Sequence, residues 1–228
     1  MTLRCGLWAA LAVPAFLALA APAARAQATS HTFQGATFNL PTPQGYCALD
    51  ESRKIDALFA EKSRALLAKA GGVAIKILVG CEVLQKLRST SDLKVTDYIY
   101  FYHTQPGQDT PLGGETADLR KALCVDMRAQ SDQTLRPVKE MIEEVMGKVK
   151  VGESKFLGVL AEDAHGCHFG ILGSINDTPM LVNGLATIVH KRPLFMTLYR
   201  VYRDAAEVEK SLAFERAVAA DLDAQNPD

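Results

Sequence analysis

Several features that would reveal a function are missing from this 228-residue chain. Its single tryptophan, Trp8, lies in the first 26 residues. No two cysteines form a Cys-x-x-Cys pair, so a thioredoxin-type redox site or a zinc ribbon has no support in the sequence. After residue 26 no apolar run approaches the ~20 residues of a spanning helix, so we expect no transmembrane segment there. The basic residues form no stripe, which argues against general nucleic-acid binding.

Catalytic and cofactor motifs are missing as well. There is no Gly-x-Ser-x-Gly elbow and no His-Glu-x-x-His helix. Ser91 and Lys94 match one piece of a penicillin-binding signature, but the other pieces are absent and we interpret the match as coincidence. The glycines at 166, 170 and 173 do not fit a dinucleotide fingerprint. We therefore expect no bound cofactor.

The first 26 residues have the three parts of a secretory signal. Arg4 supplies the positive start, residues 7–20 are apolar and uncharged, and Ala24 and Ala26 are the small residues at −3 and −1. We predict cleavage before Gln27 and a periplasmic or secreted protein. The mature part, residues 27–228, is long enough for one domain. Its charge is 23 basic against 26 acidic residues, or −3, because Arg4 and Arg25 leave with the signal.

Four of the five cysteines remain after cleavage, and an even number in an exported chain favours disulfides. We predict Cys47–Cys81 from lengths. A helix over residues 52–70 rises ~27 Å, and the following strand returns ~26 Å from residue 73 to Cys81. The pairing Cys124–Cys167 follows by elimination, and Cys124 could equally remain a free thiol.

The hydrophobic periodicity predicts a mixed fold. Strands are expected at 33–40, 73–84, 95–103, 156–161, 167–175, 179–190 and 194–202, and helices at 52–70, 116–129, 136–149 and from about 205 to 224. Consecutive strands without intervening helices predict an antiparallel sheet of about five to seven strands, flanked by helices in a single α+β domain.

One resemblance follows from this order of elements. A strand ending in Phe38-Asn39-Leu40-Pro41 stands near the start, and a terminal hairpin leads into a last helix. In this layout the chain resembles the PsbP/Mog1-like α/β/α sandwich proteins, although the helical pair at 116–149 departs from it. It is also similar to exported proteobacterial proteins. The sandwich resemblance implies an accessory or binding role more than catalysis.

Three groups of residues are candidate sites. His165 and His168 flank Cys167, and imidazoles suit zinc or copper, with His103 or His190 as a further ligand. The alternative is a disulfide cysteine between two structural histidines.

Tyr98, Tyr100 and Tyr102 share one face of a strand and could contact a ligand. Alternatively, Ile99 and Phe101 face the core while the tyrosines lie beneath a helix or on a half-exposed face of the sheet. Arg200, near the basic turn at Lys191 and Arg192, could attract an anion, or be a solvated strand end.

These patterns predict an exported, soluble envelope or periplasmic protein that binds an unknown protein or small molecule and does not act as an enzyme. The alternative is a metal-dependent enzyme that uses His165 and His168.

Overall fold

The computed structural model describes residues 29–33, 35–90, 95–104, 111–129 and 150–227. The predicted signal, the helix at 136–149 and most of the loop at 105–114 lie outside this part of the chain. The strands are β1 (Thr29–Phe33), β2 (Ala36–Leu40), β3 (Tyr46–Ala48), β4 (Gly72–Gly80), β5 (Tyr98–Thr104), β6 (Lys155–Asp163), β7 (Gly166–Ile175), β8 (Thr178–Val189) and β9 (Arg192–Val201). The helices are α1 (Lys54–Lys69), α2 (Cys81–Thr90), α3 (Thr116–Ala129) and α4 (Ala206–Gln225).

A seven-stranded antiparallel sheet forms the centre of the fold, in the order β3-β4-β5-β9-β8-β7-β6. Its hairpins are tight. The β7–β8 turn is Asn176-Asp177 and the β8–β9 turn is His190-Lys191, and all four residues have positive φ. Two-residue turns of this kind match the twist of the strands they connect. This sheet confirms the predicted α+β class and the predicted number of strands.

Helices cover both faces of the sheet. On one face α4 and the separate β1–β2 hairpin pack over Ile99, Phe101 and Leu185, and the core there includes Phe38 and Leu222. On the other face α1 and α2 pack over the tyrosines of β5, and α3 crosses β6, β7 and β8. Alternate residues of each strand therefore enter different cores, as the period of two requires.

Three segments differ from the prediction, and the shortest is β3, which was not expected as a strand. Residues 81–90 form helix α2, whereas the predicted strand continues to residue 84. Leu84 and Leu87 are buried at helical spacing, and a short apolar run does not distinguish a strand from a helix. The expected N-terminal strand at 33–40 is instead the β1–β2 hairpin, whose turn includes Gly35 with φ 74°.

The first and last described elements are joined by an asparagine pair. The Asn39 amide N–H donates to Asn226 Oδ1 at 2.7 Å, and Asn226 Nδ2 donates back to Asn39 O at 2.8 Å. Asn39 Nδ2 also donates to Gln225 O at 3.0 Å. We call this contact the Asn39–Asn226 clamp. It fixes the C-terminal end of α4 against β2.

None of the helices in the described ranges combines the length and apolar character needed to cross a membrane.

Candidate functional site

A dense group of titratable side chains lies at one end of the sheet, around the β6–β7 hairpin. We call it the hairpin cluster. Its members are Asp163, His165 and His168 from the hairpin, Glu215, Arg216 and Asp223 from α4, and Arg120 from α3.

A glycine allows the hairpin to approach β8 closely. Gly166 has φ 150°, and a Cβ at this position would lie 2.4 Å from the carbonyl oxygen of Ala186. Since no other residue fits there, Gly166 sets the direction in which β7 leaves the turn. His165 and His168 therefore lie on either side of the point where the chain bends.

His168 is fully buried, and a carboxylate contacts each of its ring nitrogens. Nδ1 lies 3.0 Å from Glu215 Oε1 and Nε2 lies 3.0 Å from Asp163 Oδ2. Burial alone would lower the pKa of His168, but the hydrogen bonds and charges of Glu215 and Asp163 outweigh it and raise the pKa. Burial raises the pKa of Glu215, and His168 offsets this only in part.

Asp163 connects the buried pair to the surface. Its side chain is 26% exposed and also binds Arg216, whose Nε lies 3.2 Å from Oδ2. The backbone N–H of His165 donates to Oδ1 at 3.0 Å. Although burial acts to raise the pKa of Asp163, the hydrogen bond from His165 and the charge of His168 lower it. Asp163 therefore stays ionised well into the acid range.

His165 has a different set of partners. Its Nδ1 lies 2.8 Å from Asp223 Oδ2. Arg120 holds Asp223 with two hydrogen bonds of 2.7 and 3.0 Å, and it also donates to the carbonyl oxygens of Ala164 and Ile188 at 2.6 and 2.9 Å. The side chain of His165 is 33% exposed. Its imidazole is thus held in place on one side and accessible to solvent on the other.

The predicted metal pair, His165 and His168, is not brought together as ligands. The two rings bind different carboxylates, and both nitrogens of His168 are already hydrogen-bonded. In the part of the chain that the structure describes, no three His, Cys, Asp or Glu side chains are placed to hold a metal ion. The further ligands considered are occupied elsewhere, since His103 stacks on Phe33 and His190 forms the β8–β9 turn.

The tyrosine row packs inside the fold, so the structure does not present it as a surface for a ligand. Tyr98 and Tyr100 are only 7% and 3% exposed. The Tyr100 hydroxyl donates to Ser63 Oγ on α1 at 2.9 Å, and Tyr102 packs on Phe195. The other interpretation is confirmed, because the tyrosines lie beneath helices while the alternate residues of β5 face the opposite core.

Arg200 also has structural partners. Its guanidinium donates to the Tyr46 hydroxyl at 2.9 Å, lies 3.5 Å from Asp97 and stacks over Phe214 at 4.7 Å. The turn residue Lys191 instead binds Gly114 O and Thr116 Oγ1 at the start of α3. Arg200 is eight residues from Arg192 along β9, or about 26 Å. The predicted anion patch therefore does not form as one surface.

The carboxylates of the hairpin cluster were not predicted, although a signal exists. In α4 the buried face consists of Ser211, Glu215, Val218, Ala219 and Leu222. Ser211 and Glu215 are polar, although the helical periodicity places them on the face that is otherwise apolar. A buried glutamate at such a position needs a partner on the facing sheet, and His168 is that partner.

The cysteines divide into one disulfide and one pair of thiols. Cys47 and Cys81 form a disulfide with Cα atoms 5.0 Å apart, which confirms the first predicted pairing. It closes because β3 pairs with the end of β4, where Cys47 lies opposite Val79. Cys124 and Cys167 are buried free thiols in this structure, which corresponds to the alternative that the sequence left open for Cys124. Their side chains nevertheless share one small core cluster, and the pairing remains a prediction.

No protein-family model and no curated protein matches this chain. Among solved structures, it is similar to the solution structure of cyanobacterial PsbP (CyanoP) from Synechocystis sp. PCC 6803. The sequences are 13% identical, the match covers 87% of this chain and 92% of that one, and the TM-score is 0.35. At this TM-score the likeness bears on neither ligand nor activity.

Proposed function

We propose that this protein is exported to the periplasm or the cell exterior and acts there as a binding or accessory domain, not as an enzyme. The observation that carries the proposal is the Cys47–Cys81 disulfide. Disulfides form and persist in oxidising compartments and are rare in the cytosol. The pattern of residues 1–26, with its charge, apolar run and small-residue cleavage site, supports the same compartment.

The hairpin cluster supports binding over catalysis. A general base or a metal ligand needs a nitrogen with a free lone pair, and both nitrogens of His168 are bonded to carboxylates. The outer part of the cluster is different. Arg216 and His165 are 47% and 33% exposed, and each is held by a carboxylate. They present donors in fixed positions to a partner protein or small molecule.

A metal-dependent enzyme is the second candidate, and one contact favours it. A carboxylate on one imidazole nitrogen, as Asp223 is on His165, often orients a histidine that binds metal through the other. Metal analysis of the purified mature protein distinguishes the two candidates. Stoichiometric zinc or copper that is lost in His165→Ala would favour the enzyme, and metal-free protein would favour the binding domain.

Export is tested by expressing the whole chain in a bacterium and measuring the intact mass of the periplasmic protein. We expect a chain that begins at Gln27 and lacks Trp8. The control carries Leu11→Arg, which interrupts the apolar run and should keep the protein in the cytoplasm. A periplasmic or membrane-bound product that retains Trp8 would contradict the proposal.

The binding surface is tested by cross-linking the exported protein in intact cells. We expect a cross-linked species that Arg216→Glu removes. Lys121→Glu on α3 is the matched control, because it reverses an exposed charge outside the hairpin cluster. If the cross-linked species is lost equally in both variants, or is lost in neither, the cluster is not the binding surface.

A further inference from the structure

Cys124 of α3 and Cys167 of β7 are both completely buried and belong to one core cluster with Ala186. Each thiol influences the pKa of the other, as expected for neighbouring side chains in one cluster. A disulfide needs Cβ atoms about 3.8 Å apart, and the cluster places these two side chains together in one small part of the core. The helix and the strand are already held in position around them.

Contacts on both sides of the thiols fix α3 in this position. At the C-terminal end of α3, Arg128 Nη2 lies 2.7 Å from Glu162 on β6. One turn before Cys124, Arg120 binds the hairpin and α4. Leu123 and Met127 pack against the same cluster. These contacts hold α3 over the sheet and keep the two cysteines in the same cluster.

We propose that Cys124 and Cys167 form a second disulfide in the exported protein, and that this bond forms before α3 docks on the sheet. For the source of the oxidant, the inference rests on the proposed function. The oxidant is a disulfide, carried either by a protein or by a small molecule such as oxidised glutathione.

The reaction is a two-step thiol–disulfide exchange. The thiolate of one cysteine attacks the oxidant and releases one of its two sulfurs as a thiolate. The second cysteine, also deprotonated, attacks the mixed disulfide at the protein sulfur and releases the other. The two cysteines lose two electrons and two protons in total, and the oxidant is reduced to two thiols.

The order of events follows from burial. Neither thiol is accessible in the folded state, so no oxidant can form the mixed disulfide there. Burial also raises the pKa of both thiols, which keeps the attacking thiolate scarce. Before α3 docks, both cysteines are accessible to an oxidant. The bond is therefore expected only in chains that folded under oxidising conditions.

Refolding in vitro tests the bond independently of the compartment. Reduced, denatured mature protein is refolded with a mixture of reduced and oxidised glutathione, and the product is analysed by non-reducing peptide mapping. We expect two linked pairs, Cys47–Cys81 and Cys124–Cys167, and no free thiol after denaturation. A product that contains Cys47–Cys81 but retains two free thiols would overturn the inference.

Two further measurements test the order of events and the link to export. In folded protein with Cys124 and Cys167 reduced, these two thiols should react with oxidised glutathione at least tenfold more slowly than they do in urea. Equal rates would show that the bond need not form before α3 docks. In protein recovered from the periplasm, Cys47–Cys81 is the internal control. If that pair is linked and Cys124 is free, the inference fails while the proposed function stands. If the recovered protein retains residues 1–26 and both cysteine pairs are reduced, the proposed function fails. The inference about Cys124 and Cys167 is then decided by the refolding experiment.

The double variant Cys124→Ser, Cys167→Ser provides an independent check. Relative to the oxidised protein its Tm should fall by about 10 °C, as expected for loss of a bond that closes a loop of about 44 residues. Under a reductant that opens both disulfides, the variant and the parent chain should differ much less. A Tm difference that reductant does not change would show that the serines disturb packing and that no bond was lost.

Discussion

Replacing Glu215 by alanine should lower the free energy of unfolding substantially, because the change leaves His168 charged and buried with one partner fewer. Both side chains are fully buried and hydrogen-bonded at 3.0 Å. Removing one member of a buried ion pair costs about 3–5 kcal/mol. Since Asp163 continues to bind the other nitrogen of His168, we expect the lower end, about 3 kcal/mol. Glu215→Gln preserves the packing and one acceptor and should cost about 1–2 kcal/mol.

The pair should also make stability depend on pH. The folded pKa values of His168 and Glu215 both lie above their ordinary values of 6.5 and 4.5. The folded state therefore holds more protons than the unfolded state once the pH exceeds these values. The contribution of His168 and Glu215 to the free energy of unfolding is complete at low pH. It is lost first as pH rises from 4.5 through the folded pKa of Glu215, and then as pH rises from 6.5 through the folded pKa of His168.

Urea denaturation followed by far-UV circular dichroism measures both effects, at about pH 6 and about pH 8. The double variant His168→Leu, Glu215→Leu should recover much of the stability that the single changes lose, because apolar residues can replace a buried ion pair. His165→Asn is the matched control and should preserve the pH dependence. Strictly additive single effects, or a pH dependence that persists in His168→Leu, would refute this account of the pair.

Three further changes test other parts of the structure by the same denaturation assay. Cys47→Ser with Cys81→Ser should cost about 3–4 kcal/mol on the chain-entropy model, whereas a peptide linking Cys47 to Cys124 or Cys167 would show that the assigned pairing is wrong. Tyr100→Ala should cost about 3–5 kcal/mol and Tyr100→Phe only about 1 kcal/mol, and an unchanged Tm in the alanine variant would restore the surface interpretation. Arg120→Ala should cost about 2–3 kcal/mol, and Arg120→Lys should recover only part, because one ammonium group cannot replace the planar guanidinium. Full recovery of stability in Arg120→Lys would show that the planar guanidinium is not required.

Local patterns in the sequence predict much of the fold. Alternation along Tyr98 to His103 assigns β5 and separates its two faces, and the lengths of α1 and β4 bring Cys81 back to Cys47. Helix α2 was not predicted because residues 81–87 are apolar at spacings that fit a strand or a helix. Tertiary context decides the outcome, since Cys81 N–H donates to Gly45 O beside the edge of the sheet.

The hairpin cluster illustrates what the sequence could not predict. His168 and Glu215 are 47 positions apart, and no local pattern relates a strand residue to the turn of a distant helix that covers it. The histidines alone therefore suggested a metal. The carboxylates that occupy their nitrogens become apparent only when α4 is placed over β7 and β8.

The Asn39–Asn226 clamp has a consequence for how the molecule opens. It joins residues 187 positions apart, so its three hydrogen bonds close nearly the whole described chain into a ring. The side chain of Asn226 also donates to Leu222 O, so the same residue caps the last turn of α4 and holds β2. We therefore expect fraying of that turn to loosen the β1–β2 hairpin, while β8 and β9, paired on both sides, remain intact. On this reasoning the two ends of the described chain should open together, separately from the centre of the sheet.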